Sequence, residues 1–297
     1  MAEGFDAHDG ASALADFLAR HPRSLVLTGA GLSTASGIPD YRDRDGVRRG
    51  RLPIQGPDFR RSPAVQRRYW ARSMIGWPVL AQARPNAGHE ALAALEASRR
   101  IGALLTQNVD GLHGRAGSHA VLELHGNIHS VRCLACGARV PRALVQAQLQ
   151  ELNPHLGDGA AQPLPDGDAQ VEPAFLDDFT LPVCGHCGGA LMPDVVFFGD
   201  NVPAERTACA LARMEAADAL LVVGSSLVVY SGFRFCRLAA AAGKPIAALN
   251  LGRTRADALF QLKIEASAEA LLPQVAARLG TGPVPLPIGL IDERGVC

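Results

Sequence analysis

Apolar residues along this chain fall into short, nearly unbroken runs separated by longer stretches of helical period. The runs are Ser24–Thr28, Ile101–Thr106, Val121–Leu124, Asp194–Phe197, Ala219–Val223 and Ile246–Asn250. A strand covered on both faces reads this way, because neither side of its pleat meets water. Between several of them, Ala11–Ala19, Gly88–Ala97, Ala204–Ala217 and Tyr230–Ala242 carry helical patterns. Strands alternating with helices predict an α/β fold built on an open, Rossmann-like parallel sheet. Two stretches interrupt the alternation. Arg42–Trp77 is dense in arginine and aromatic residues and predicts loops and short helices. Cys133–Cys187 encloses Pro154, Pro163, Pro165 and Pro173 among acids and glycines. It predicts an irregular excursion rather than a repeat or a hinge.

Composition narrows the class. The 297 residues suffice for one large core, or for a main domain with a smaller one attached. Hydrophobic residues at 48% and charged residues at 20% are ordinary for a globular protein. A formal net charge of zero argues against general nucleic-acid binding. No apolar run reaches the roughly 18 residues of a membrane helix, and the first residues lack a basic-then-apolar leader, so a cytoplasmic location is expected. Seven cysteines, an odd number, disfavour a disulfide framework. Cys209 and Cys236 read as buried apolar residues, and Cys297 as part of a frayed terminus.

The other four cysteines are patterned. Cys133-x-x-Cys136 and Cys184-x-x-Cys187 each sit in a glycine-containing knuckle, CLACG and CGHCG, with 47 residues between the pairs. Two knuckles offer four thiolates, the tetrahedral set that a structural zinc takes. Redox pairs are the competing reading. A closed four-cysteine site leaves no position for water, so no chemistry is expected of it. His186, inside the second pair, is not expected to be a ligand.

Three polar segments follow strands. Gly29, Ala30 and Gly31 turn the chain after the first, and glycine lets backbone N–H groups come close to a phosphate. The next glycine is Gly37, so the spacing departs from the dehydrogenase Gly-x-Gly-x-x-Gly. A plain strand-to-helix turn would look similar. TQNVDG, Thr106–Gly111, places polar side chains at a strand's C-terminal end, where an α/β sheet opens its ligand crevice. Capping of the next helix is the alternative there. His125 follows a strand and precedes a glycine, so its ring can stand free in a crevice. A lone histidine is otherwise more often structural, and His89, His113 and His129 are read as structural or exposed.

Taken in order, the strings GAGLSTASGIPDYR (Gly29–Arg42), TQNVDG, ELHGN with a Cys-x-x-Cys eight residues after the histidine, PDVVFFGD (Pro193–Asp200) and GSSL (Gly224–Leu227) resemble the sirtuins. The resemblance covers about Leu25–Leu272. Arg42–Arg72 is similar to class II members, notably the mitochondrial type, and Tyr41 stands where many sirtuins have Phe.

The resemblance implies an NAD-dependent protein lysine deacylase. The acyl oxygen would attack C1′ of the nicotinamide ribose and expel nicotinamide. A ribose hydroxyl would then lose a proton, and the products would be free lysine, nicotinamide and 2′-O-acyl-ADP-ribose. His125 would be the general base, a task suited to a group titrating near working pH, with Asn108 beside it. NAD would be held by Gly29, Ala30, Gly31 and Ser33 at the diphosphate, and by Ile38, Asp40, Tyr41 and Arg42 at the ribose and nicotinamide. Gln107, Asn108 and Asp110 would meet ribose and carboxamide. Gly224, Ser225 and Ser226, then Asn250, Leu251 and Gly252, and lastly Ala268 would complete the site. Cys133, Cys136, Cys184 and Cys187 would hold one Zn2+. Val196, Phe197 and Gly199 would pair with an extended acylated-lysine protein substrate by backbone bonding.

Ten arginines between Arg42 and Arg72 could attract an acidic acyl chain. Tyr69 and Arg72 are similar to a pair that holds a carboxylate in desuccinylating sirtuins; a solvated helix face is the plainer reading. The expected partition is a Rossmann-like NAD-binding domain of 1–41, 78–130 and 190–297, a cofactor-binding insertion at 42–77 and a zinc module at 131–189. Protein mono-ADP-ribosyl transfer and a non-catalytic NAD-sensing or zinc-ribbon module are the alternatives. A dehydrogenase is disfavoured by the glycine spacing. Oligomeric state is left open.

Overall fold

The computed structural model describes residues 7–48, 53–156, 176 and 178–281. The expectations on Cys297 and on Pro163, Pro165 and Pro173 lie outside these residues.

Six strands form one parallel sheet in the order β3-β2-β1-β7-β8-β9. They are β1 (Leu25–Thr28), β2 (Ala103–Thr106), β3 (Val121–Glu123), β7 (Leu220–Val223), β8 (Ile246–Leu249) and β9 (Leu262–Ile264). Every residue of β1, β7 and β8 is buried, as the unbroken apolar runs require. Each face is covered. Helices α1 (Ala7–Arg20), α4 (Ala87–Ala97) and α9 (Ala268–Arg278) close one side through Leu14, Leu18, Leu92, Leu95, Leu271 and Val275. Helices α7 (Ala204–Ala216) and α8 (Tyr230–Ala241) close the other with Ala210, Met214, Phe235 and Ala239. The chain leaves β1 toward β2 on one side and enters β7 on the other. The strand order therefore reverses between β1 and β7, which opens a crevice at their C-terminal ends.

A second sheet is antiparallel, in the order β5-β4-β6, from β4 (Gly126–Cys133), β5 (Arg139–Pro141) and β6 (Leu191–Val195). The strand expected at Asp194–Phe197 is therefore displaced toward its N-terminus. It pairs with β4, outside the six-stranded sheet, through Gly126↔Val195 and Cys133↔Leu191. Against this sheet pack α2 (Gly56–Arg61), α3 (Pro63–Gln82) and α6 (Arg142–Leu152), in a core that includes Phe59, Trp70, Met74, Val145, Leu149 and Phe197. Helix α3 runs 20 residues where short helices and loops were expected. Ser62 caps it by accepting from Val65 N, and Pro63 fits the first turn, where no partner for its nitrogen is needed. Helix α6 lies in the stretch expected to be irregular; Val145 and Leu149, four apart, anchor its inner face. α5 (Leu112–Arg115) is a single turn after β2. No helix among the described residues is long and apolar enough to cross a membrane.

Between α3 and α6, Arg142 is wholly buried, with its guanidinium 5.3 Å from the ring centroid of Trp70 and 4.8 Å from that of Trp77. One terminal nitrogen donates to Ser73 O and Oγ, while Nε and the other terminal nitrogen have no hydrogen-bond partner among the described residues. Burial pushes its pKa down to about 10, so it stays charged at neutral pH.

Candidate active site

The crevice between the two sheets is a cleft of about 1100 Å³, open to solvent. That is ample for a dinucleotide with room beside it for a second reactant. Its floor is made where the loops after β1 and β7 meet. Gly31 N donates to Gly224 O at 2.8 Å, and Gly29 N to Val223 O at 3.0 Å. The loops touch backbone to backbone. A Cβ added at Gly29 would stand 2.7 Å from Ser225 Cβ, and one at Gly31 would stand 3.0 Å from Gly224 Cα. Gly224, at φ +60, would carry its Cβ to 2.4 Å from Leu32 N. Glycine is thus required here by contact as well as by conformation. The bare backbone forms a cradle of the kind that admits a diphosphate.

The polar residues after β2 rise above this floor. Asn108 donates through Nδ2 to Gly29 O and to Ser33 Oγ, both at 3.0 Å. Ser33 donates to Asp110 Oδ2 at 2.7 Å, and Asp110 Oδ1 accepts from Leu112 N. Gln107 donates to Ser225 Oγ at 2.7 Å. Asp110 does not cap α5, whose N-cap position is Gly111; it holds the N–H of Leu112 from two residues back and also fixes the serine at the cleft. Ser33, Asp110 and Ser225 are buried.

His125 stands at the junction of the sheets, between β3 and β4. Its Nδ1 lies 2.9 Å from Gln107 O and its Nε2 lies 2.7 Å from Ser231 Oγ. Burial is the main cause of a pKa pushed down to about 4; Arg206 and Arg234 add to it, and the Gln107 carbonyl opposes it. The ring is therefore neutral near pH 7. A carbonyl can only accept, so Nδ1 carries the hydrogen and Nε2 is the free base. Of the three histidines read as structural or exposed, His89, His113 and His129, none is exposed and none lines the cleft. His89 and His113 are buried with ring centroids 5.0 Å apart, and His129 bonds Asp110 O.

Of the catalytic, cofactor and substrate residues singled out in the sequence, all but two line this one cleft. They are Gly29, Ala30, Gly31, Ser33, Ile38, Asp40, Tyr41, Arg42, Tyr69, Gln107, Asn108, Asp110, His125, Val196, Phe197, Gly199, Gly224, Ser225, Ser226, Asn250, Leu251 and Ala268. Two are not among the lining residues. Gly252 is held beneath it: at φ +85, its Cβ would meet Arg44 O at 2.2 Å. Arg72 lies off the cleft, while Tyr69 packs edge-on against Phe59 and tilted against Phe197. The segment after β6 is tied to both sides, through Val196 N to His125 O and Gly56 N to Phe198 O. Asp200 forms a two-point pair with Arg60. The sequence reading missed Ser231, Arg234 and Arg206. No motif marks them; their role is visible only once α7 and α8 lie against the histidine.

The four cysteines come together at the far end of the small sheet, with all Sγ atoms within 4.8 Å of one another. Cys133 to Cys187 is 3.5 Å and Cys136 to Cys184 is 3.8 Å. A tetrahedron with metal–sulfur bonds of about 2.3 Å has edges of about 3.8 Å, so the set can close on a zinc with shifts of about an ångström or less. The knuckles match: Gly137 and Gly188 both have positive φ, and each donates back to the first cysteine's carbonyl. Cys209 and Cys236 are buried, as expected, and His186 is exposed and apart.

A family model described as "Sir2 family" matches residues 29–231. A protein named NAD-dependent protein deacetylase from Xanthomonas campestris pv. campestris (strain 8004) is 56% identical over 260 residues, covering 87% of this chain and 89% of that one. NAD-dependent protein deacetylase 3 of Pseudomonas syringae pv. tomato is 52% identical, covering 86% and 92%. Among solved structures, a Sir2–p53 peptide–NAD+ complex superposes with a TM-score of 0.71 at 29% identity, covering 90% of this chain and 98% of that one. A Sir2 bound to a propionylated peptide gives 0.70 at 30%, covering 91% and 98%.

Proposed function

The chain belongs to the Sir2 family, and from that premise we propose that it is an NAD-dependent protein lysine deacylase with His125 as its general base. The observation that carries the proposal is the convergence of the backbone cradle, the Asn108–Ser33–Asp110 network and a neutral imidazole on one cleft. NAD supplies the electrophilic sugar carbon that takes the acyl oxygen and releases nicotinamide. The chain's own residues do the rest. Gly29, Gly31 and Gly224 admit the diphosphate; Asn108, with Gln107 and Asp110, orients the nicotinamide end; Nε2 of His125 takes the proton of a sugar hydroxyl. Val196, Phe197 and Gly199 offer backbone to an extended peptide. We assign 131–189 as the zinc module, 42–77 as the cofactor-binding insertion and the remainder as the NAD-binding domain. A zinc held by four thiolates suits a reducing compartment such as the cytoplasm.

The test is nicotinamide release from NAD with a panel of acetyl-, succinyl- and glutaryl-lysine peptides. We expect release that requires peptide, together with acyl-ADP-ribose. His125→Ala is expected to lower product formation by about two to four orders of magnitude while NAD still binds. Near-parental turnover in that variant removes the assignment. ADP-ribose appearing on protein in place of acyl-ADP-ribose would establish the transferase alternative instead.

A further inference from the structure

We propose that Ser231 is a positioning residue for His125, whose hydroxyl satisfies Nε2 in both of its protonation states and so holds the base ready between steps. The inference rests on the reading of His125 as general base.

The argument starts from the ring's two partners. Gln107 O can only accept, so the hydrogen is on Nδ1 and Nε2 presents a lone pair. At 2.7 Å, Ser231 must donate its hydroxyl hydrogen to that lone pair. Both nitrogens are thus bonded to uncharged oxygens. The charged groups that bear on the ring are Arg206 from α7 and Arg234 from α8, both cations. Among the described residues, no acid orients it in the way a carboxylate orients the histidine of a triad.

The proton inventory then explains a hydroxyl at this place. Nε2 has one lone pair, so the Ser231 hydroxyl turns its hydrogen away as the sugar hydroxyl delivers its proton there, and the ring becomes an imidazolium with both nitrogens protonated. Nδ1–H keeps its bond to Gln107 O. Once the sugar oxygen has bonded to the acyl carbon, the new Nε2–H needs another acceptor, and the Ser231 oxygen, its hydrogen already turned away, supplies one. When the proton leaves, the hydroxyl turns back. Alanine could serve neither state, and a carboxylate would favour only the charged one.

The fold holds the serine to this task. Ser231 is the second residue of α8 and lines the cleft. Its neighbour Gly232 packs directly on the Gln107 side chain: a Cβ at Gly232 would stand 2.4 Å from Gln107 Oε1. Gln107 therefore supplies the carbonyl for one ring nitrogen and the seat for the helix that reaches the other. Its own amide is pinned to Ser225 at the cradle.

The test uses the intact zinc-loaded protein with NAD and an acetyl-lysine peptide. Exchange of labelled nicotinamide into NAD reads the first step, which needs no base. Acyl-ADP-ribose formation reads the step that does. Ser231→Ala is expected to leave exchange within about twofold and to slow product formation roughly tenfold. Ser231→Thr, which keeps the hydroxyl, restores product formation to within about threefold. In nitrogen NMR of the free protein, Nε2 of His125 moves in the alanine variant toward the position of an unbonded ring nitrogen. Equal slowing of both steps, or no change in either with an unmoved Nε2 signal, overturns the proposal while leaving His125 as base. If His125→Ala itself keeps product formation, the assignment of the base and the role of Ser231 fall together.

Discussion

Replacing Gly224 by alanine tests whether the cofactor cradle depends on two loops meeting backbone to backbone. Three costs add. Gly224 sits at φ +60, where an L side chain costs roughly 1 kcal/mol. The new Cβ would stand 2.4 Å from Leu32 N and 2.7 Å from Gly31 C, both main-chain atoms that cannot rotate aside. Overpacking of that kind costs about 1–3 kcal/mol. Moving the loops apart also gives up the Gly31 N to Gly224 O bond, worth about 1 kcal/mol. The total is about 3–5 kcal/mol, or roughly a hundredfold to several thousandfold in an equilibrium constant. It is expected to appear in NAD affinity, in the urea midpoint, or divided between them. Gly243→Ala is the matched control. Its φ is +65, but its Cβ would meet nothing within 4 Å. It should lose only the conformational cost, about 1 kcal/mol, and keep its NAD affinity. Calorimetric titration and urea unfolding of both variants decide. If the Gly224 variant matches the Gly243 variant in both measurements, the contact argument is wrong.

Arg142→Met should leave the urea midpoint unchanged or raised, because removing a guanidinium whose burial costs about 3 kcal/mol offsets the lost ring and Ser73 contacts. Arg142→Ala, which also empties the space, should cost about 2–4 kcal/mol; equal effects from the two would refute this. Burial holds His89 down at about 4 and pushes His113 down as well. Their folded values lie below the ordinary 6.5, so stability is complete above pH 6.5 and is lost as pH falls through about 4. The loss from His89 alone approaches ~3 kcal/mol, and a urea midpoint flat from pH 7 to 4.5 would contradict it. Stripping the metal with a strong chelator should unfold the small sheet and abolish peptide turnover. Far-ultraviolet dichroism alongside metal analysis would expose active, metal-free protein if the reading were wrong.

The parts of the fold that were legible are those where one physical demand acts alone. Strands β1, β7 and β8 are sealed on both faces, so their composition is uniformly apolar and betrays them. Helix α3 hid because its inner face is mixed: Gln66 and Ser73 are buried beside Trp70, Met74 and Trp77. Ser73 is there to meet Arg142, which any reading of sequence would have placed in solvent. Strand β4 hid for another reason. Its alternation breaks at the irregularity between Gly126 and Val131, so Gly126–Cys133 gives no strand pattern in the sequence. The site was legible in its backbone-determined parts, where glycine or a knuckle has few substitutes. Ser231 and Arg234 left no trace, because a serine and an arginine on a helix surface are unremarkable until another element is laid against them.

The ribbon of β4 and β6 has two unequal ends. One finishes at Cys133 and the sulfur cluster; the other, roughly 23 Å along at 3.3 Å per residue, delivers His125 and Val196. Beyond the first end, β5 and α6 must keep their places against the sheet, and length can vary only outside them among the 47 residues between the knuckles. A single residue gained or lost within the ribbon would instead turn alternate side chains to the opposite face and swing the imidazole out of line with the peptide. Engineered versions of this protein can therefore change length between the knuckles outside β5 and α6, but not along the paired strands or within either knuckle.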